Sequence, residues 1–72
     1  MDPKTLGTAI RIELAKKGMR QVDLSRKAKL PESTVTKLVT GRYKSPSLSL
    51  LGRVAKGLGM STSQLLERAE SL

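Results

Sequence analysis

Residues 21–41 read QVDLSRKAKLPESTVTKLVTG, and two short apolar-periodic runs stand on either side of one proline. In the first run Val22, Leu24 and Ala28 are the apolar positions, and the small Ser25 permits close crossing by another helix. Pro31 disfavours helical geometry at Leu30 and is well placed at a helix N-terminus. The second run, about residues 32–40, turns Val35 and Leu38 inward with Val39 beside them, and Gly41 stops it. The pattern predicts two short helices joined by a tight corner. With Val35 and Leu38 inward, Glu32, Ser33, Thr36, Lys37 and Thr40 share the opposite face of the second helix.

Working outward, Asp2 and Pro3 predict the N-cap and first position of an opening helix, where the N–H that proline lacks has no partner anyway. Leu6, Ile10, Leu14 and Ala15 read as its apolar stripe, with Lys4, Arg11, Glu13, Lys16 and Lys17 outside it and Ile12 exposed. Gly18 is expected to end it in a left-handed cap. Beyond the central stretch, Arg42-Tyr43-Lys44-Ser45-Pro46 reads as a basic loop. Ser47 caps a fourth helix whose inward face is predicted as Leu48, Leu51, Val54, Ala55 and Leu58. Gly59 stops that helix, and Ser61-Thr62-Ser63-Gln64 forms a capping box for a fifth carrying Leu65, Leu66 and Ala69. The expectation is one all-α domain over residues 1–72, built from five short helices.

Composition narrows the partners. The 72 residues hold 14 Lys and Arg against 6 Asp and Glu, a formal net charge of +8. That balance points to a polyanion, nucleic acid or an anionic membrane, with solubility alone as the bland reading. The basic residues are scattered over several capped helices, which argues against a membrane-surface protein. No apolar run approaches the roughly 18 residues of a membrane span, so a cytoplasmic, nucleoid-associated location is expected. With no His or Cys, and with carboxylates at no ligand or acid/base spacing, the chain is not expected to be an enzyme or to hold a metal, cofactor or small-molecule ligand.

The residues Gln21-Val22-Asp23-Leu24-Ser25, Ala28, Ser33-Thr34-Val35-Thr36-Lys37-Leu38 and Gly41-Arg42 together resemble the helix-turn-helix of the lambda-repressor/Cro-type (xenobiotic-response-element-like) DNA-binding domains. The likeness continues through Gly18-Met19, Pro46-Ser47-Leu48, Leu58-Gly59-Met60-Ser61 and Leu65-Leu66, covering roughly residues 6–67. No single piece is specific; the ordered set at these spacings is. The resemblance implies a lambda-repressor-like fold with helices two and three as the motif and double-stranded DNA as the partner. It implies base-reading positions at Glu32, Ser33 and Lys37, a phosphate contact at Gln21, a small hydroxyl near the backbone at Thr34, and a phosphate clamp at Arg42, Lys44 and Ser45.

The shared outward face of the third helix supports the same assignment and adds Thr36. Lysine can donate to guanine O6 and N7, glutamate can accept from cytosine N4, and the hydroxyls can do either. Glu32 has a second reading, since a first-turn carboxylate also stabilises the helix dipole. Arg20 stands where relatives often carry a hydroxyl cap, and it is a further phosphate candidate, with Lys27 behind it. Tyr43 either packs over the loop or reaches a phosphate through its hydroxyl. Lys29 replaces the usual corner glycine, so either it takes the left-handed conformation or the turn differs. Where many relatives pair an Arg on helix one with a Glu late in helix three, this chain has Leu14 and Val39, an apolar exchange that is often neutral or stabilising.

The expected activity is therefore sequence-specific DNA binding by a Cro-like, control-protein-like or antitoxin-like repressor. The chain ends just after the fifth helix, so no separate ligand-binding domain is expected. A homodimer on a pseudo-palindromic operator is expected, with Leu50, Met60, Thr62 and Ser63 at its interface. The competing reading is a protein-interaction module of the same fold, an antiactivator or adaptor, for which exposed apolar surface at Ile12, Val22 and Leu50 would speak.

Overall fold

Asp2 accepts the Lys4 backbone N–H at 2.8 Å and Pro3 takes the first helical position, opening α1, Pro3–Lys16. The computed structural model describes residues 2–72, and among them four more helices follow: α2, Gln21–Ala28; α3, Glu32–Val39; α4, Leu48–Gly57; and α5, Thr62–Glu70. There is no strand among the described residues. Thr40, expected inside α3, is its C-cap.

Each of the first four helices stops in the same way. A residue with positive φ follows, at Gly18, Lys29, Gly41 and Gly59, and the next N–H reaches back to the carbonyl five residues earlier. This closes the helix end and satisfies its orphan carbonyls. Lys29 is the one non-glycine among them, with φ 56° and ψ 47°. The corner therefore keeps its left-handed geometry without its glycine.

Arg53 of α4 holds that corner from outside. It donates through Nε to the Ala28 carbonyl at 3.2 Å and through Nη2 to the Lys29 carbonyl at 2.6 Å. Ser25 Oγ donates to the Leu30 carbonyl at 2.5 Å from within α2. A lysine in the left-handed region costs about 1–2 kcal/mol, offset in part by the greater chain entropy that glycine loses on folding, about 0.5–1 kcal/mol. Lys29→Gly should raise stability by about 0.5–1 kcal/mol in urea denaturation. A loss would show that the exposed Lys29 side chain contributes contacts that its solvent exposure does not suggest.

One apolar cluster joins all five helices, from Leu6, Ile10 and Leu14 on α1 through Leu24, Val35 and Leu38 to Val54, Leu58 and Leu65. α1 and α3 meet backbone to backbone at Gly7, where a Cβ would stand 2.7 Å from the Leu38 carbonyl oxygen and 2.8 Å from that of Val39. Gly57 likewise lies against α2, where a Cβ would meet Leu24 Cδ1 at 2.8 Å. Leu14 and Val39 are both buried, in keeping with the apolar exchange.

Three positions depart from expectation. Leu48 is 70% exposed rather than inward, because it is the first residue of α4 and its Cβ leans back past the edge of the core. Ala15 is exposed and Ala9 takes its place on the stripe. Glu13, placed on the solvent side by its charge, is only 2% exposed. At about 100° per residue it lies roughly 20° from Leu6 around α1, while Ala15 lies on the opposite side. Glu13 Oε2 accepts from Arg68 Nη1 of α5 at 2.5 Å, and Oε1 accepts from Lys17 Nζ at 3.2 Å.

Candidate nucleic-acid interface

The eight residues of α3 span about 12 Å along the axis, short enough to lie in a duplex major groove of about 12 Å width. Val35, Leu38 and Val39 are buried, while Glu32, Ser33, Lys37 and Thr40 are exposed and Thr36 is half-buried. The polar face expected from helical spacing is thus presented as one surface. No side chain caps the N-terminus of α3, since Pro31 occupies the cap position; the Glu32 carboxylate in the first turn is the negative group there.

α2 is tied to α3 beside this polar face. Thr36 Oγ1 donates to Gln21 Oε1 at 3.2 Å, joining the start of α2 to the middle of α3. The Gln21 side-chain amide group keeps both N–H donors for an outside acceptor. Thr36, its proton given to Gln21, can still accept.

The loop after α3 is organised from the helix end. Thr40 Oγ1 donates to the Thr36 carbonyl at 2.7 Å and accepts from Arg42 Nε at 3.1 Å, so the exposed Arg42 guanidinium is tethered through Nε to the end of α3. Lys37 Nζ stands 5.1 Å from the centroid of the Tyr43 ring, within cation–π range. Tyr43 is half-buried, with its side chain packed against the core cluster. Lys44 and Ser45 are exposed. Thr34 is half-buried on the side of α3 towards its N-terminus.

Arg20, at the N-cap position of α2, makes no side-chain cap bond, as its replacement of the usual hydroxyl implies, and it engages Asp23 instead. Its backbone N–H donates to Asp23 Oδ2 at 2.8 Å, and its guanidinium Nε lies 3.4 Å from the same carboxylate. The Arg20 backbone hydrogen bond, followed by the guanidinium, holds the Asp23 carboxyl below the usual carboxylate range. The carboxylate thereby supplies one arm of a capping box, while a guanidinium has no lone pair to supply the other. Lys27 is six residues beyond Gln21, about 120° away around α2 and about 9 Å further along it, so it does not share the Gln21 side.

Sequence reading missed Arg53 and Thr40 as organisers of this surface. Arg53 acts on a corner 24 and 25 residues away, and no local pattern reports such a bond. The Thr40 role was open to inference, since a hydroxyl on the last helical turn commonly bonds the carbonyl four residues back. The remaining expected set divides by exposure: Leu50 and Met60 are half-buried against the core, Thr62 is half-buried, and Ser63 is exposed. Of the three apolar positions named for an interaction module, Val22 and Leu50 are half-buried and Ile12 is 36% exposed, so they present no wide apolar patch. No helix among the described residues is long and apolar enough to cross a membrane, and no group of three or more Asp and Glu there could hold a metal ion.

The sequence profile of the Cro/C1-type HTH DNA-binding domain family matches residues 9–71. The fold is similar to that of the clp gene regulator ClgR from Corynebacterium glutamicum, with a TM-score of 0.87 at 30% identity, over 99% of this chain and 74% of that one. A second crystal structure of ClgR gives a TM-score of 0.86 at 30% identity, over 99% of this chain and 91% of that one. The hypothetical transcription factor NHTF from Neisseria gives 0.82 at 25% identity, over 100% and 86%. No curated protein sequence matches the chain.

Proposed function

Because the chain belongs to the Cro/C1-type helix-turn-helix DNA-binding domain family and is a DNA-binding transcription regulator of lambda-repressor-like fold, we propose that it is a sequence-specific repressor that reads its operator with α3. The observation that carries this reading is the exposed polar face of α3 flanked by the exposed donors of Gln21 and Arg42, each tied to it by a hydrogen bond. Glu32, Ser33, Thr36 and Lys37 contact base edges. Gln21, Arg42 and Lys44 donate to phosphates, where charge-assisted bonds and counterion release supply sequence-independent affinity. Thr34, Tyr43 and Ser45 complete the phosphate layer from the helix and loop, and Arg20 joins it from above the start of α2.

Two details support the division of labour. The Thr36–Gln21 hydrogen bond fixes the distance between the groove-entering helix and the phosphate donor, so register on the backbone and register on the bases are set together. The Tyr43 ring restricts Lys37, a long flexible side chain, to the region beside the clamp loop.

A second copy of the chain completes the site. A homodimer places two α3 helices in successive major grooves, about 34 Å apart on a pseudo-palindrome. Leu50, Met60, Thr62 and Ser63 at the α4–α5 junction are its proposed contact. Sedimentation of the protein alone and on its site tests this; a monomer in both would remove the dimer.

Selection from random duplexes tests the function as a whole. An enriched palindrome is expected, and no enrichment would overturn sequence-specific recognition. Arg42→Ala should weaken all duplexes alike and lower the slope of log affinity against log salt by about one. An unchanged slope would take Arg42 out of the clamp.

A further inference from the structure

Away from the reading surface, the C-terminal ends of α1, α2 and α4 converge on a notch of about 370 Å³. Its rim carries Lys17, Lys27 and Lys56, and its floor is Met19 with the Gly57-Leu58-Gly59 segment. A second hollow of about 240 Å³ shares Lys27 and Lys56 and adds Lys29 and Arg53. No acidic residue lines either one. Of these cations, Lys17 is partly engaged by Glu13 and Arg53 by the Ala28 and Lys29 carbonyls. The side chains of Lys27, Lys29 and Lys56 are exposed and have no hydrogen-bond or ion-pair partner among the described residues.

The position separates this patch from the DNA contacts. Lys56 lies eight residues beyond Leu48, about 12 Å along α4 from the clamp loop. The accessible part of the floor is the half-buried Met19 and the exposed Gly59 turn, where no side chain stands over the backbone, so the notch admits an inserted group. A rigid duplex about 20 Å across presents evenly spaced phosphates on a convex surface and has nothing to insert. An extended acidic peptide has carboxylates for the rim and an aliphatic side chain for the floor.

We infer that this notch is a docking site for an acidic polypeptide segment bearing an aliphatic anchor, open while α3 is on DNA. It goes beyond the operator reading and stands without it: peptide binding with no duplex selection would leave this inference intact and overturn the other. The charge complementarity is what decides for such a partner: three lysines, two of them unpaired among the described residues, round a small apolar floor.

The test is an amide NMR titration with a blocked heptapeptide of five glutamates around two leucines. The expected result is saturable shifts at Met19, Lys27, Gly57 and Gly59 with a dissociation constant below about 1 mM. An all-glutamate peptide should bind more weakly, and Lys56→Glu should weaken the leucine peptide at least about fivefold. The same variant, whose fold the spectrum itself reports, should keep its duplex affinity within about twofold. Absence of saturable shifts would overturn the proposal, as would equal binding of the all-glutamate peptide. So would shifts centred on Lys37 and Arg42, or displacement of the peptide from the notch by duplex DNA, which would assign the patch to nucleic acid.

Discussion

Lys37→Glu is expected to weaken binding to the selected duplex by more than a hundredfold, on the order of 3 kcal/mol, because in the proposed complex it sets a carboxylate against bases and phosphates. Lys37 is exposed on the polar face of α3 and is held near the Tyr43 ring. Losing that cation–π contact costs about 0.5–1 kcal/mol at an exposed site, so the fold should survive. Thermal denaturation of the variant checks this. Lys37→Ala is the companion measurement, with an expected loss of about 1–3 kcal/mol on the best site and relaxed preference at one base pair. The pair distinguishes two roles. A base-reading Lys37 loses more on the selected site than on random duplex, whereas equal losses on both would reassign it to the phosphate layer.

The same residues show how far sequence carries. The α3 face was legible because helical spacing is local: once Val35 and Leu38 are inward, the positions between them must point out. Helix ends were legible for the same reason, since Asp2, Ser47 and Ser61 satisfy N–H groups only two or three residues away. The corner at Lys29 was half legible. A left-handed lysine was one of the two conformations that the missing glycine left open, and the groups that hold the corner from outside sit on α4, in the two carbonyl bonds from Arg53. Leu48 was misplaced because a helical wheel has no ends: its angle fits the inward stripe, while its place at the first residue puts its Cβ beyond the core. What joins Gln21 to Thr36 depends on the crossing of two helices, and periodicity within each does not fix that.

Glu13 is the larger miss, and it leads to the second of the large effects. On the helical wheel its position was inward, but its charge overrode the angle in the reading. Burial alone would raise its carboxyl; the hydrogen bonds from Arg68 and then Lys17, with the charges of Arg68 and Lys16, outweigh that and hold it below the ordinary value. Arg68→Ala removes the 2.5 Å partner and leaves the carboxylate buried with Lys17 at 3.2 Å and Lys16 at 3.5 Å. Breaking a fully buried pair costs about 3–5 kcal/mol; with two lysines remaining and the Arg68 side chain 48% exposed and so screened by solvent, about 2–3 kcal/mol is the upper range expected at pH 7. For a domain of this size that lowers the melting temperature by roughly 10–20 °C. The sign with pH follows from the depressed carboxyl. The folded state binds the Glu13 proton less readily than the unfolded chain, so the stabilisation is fully present above the unfolded value, about pH 4.3. It is lost as pH falls through the lower folded value. The difference between wild type and Arg68→Ala in urea denaturation should therefore shrink from about 2–3 kcal/mol at pH 7 to below about 1 kcal/mol once Glu13 is protonated. A difference that stays constant with pH would mean that the Arg68 stem acts by packing along α5, and that the charge on Glu13 is not what ties α5 to α1.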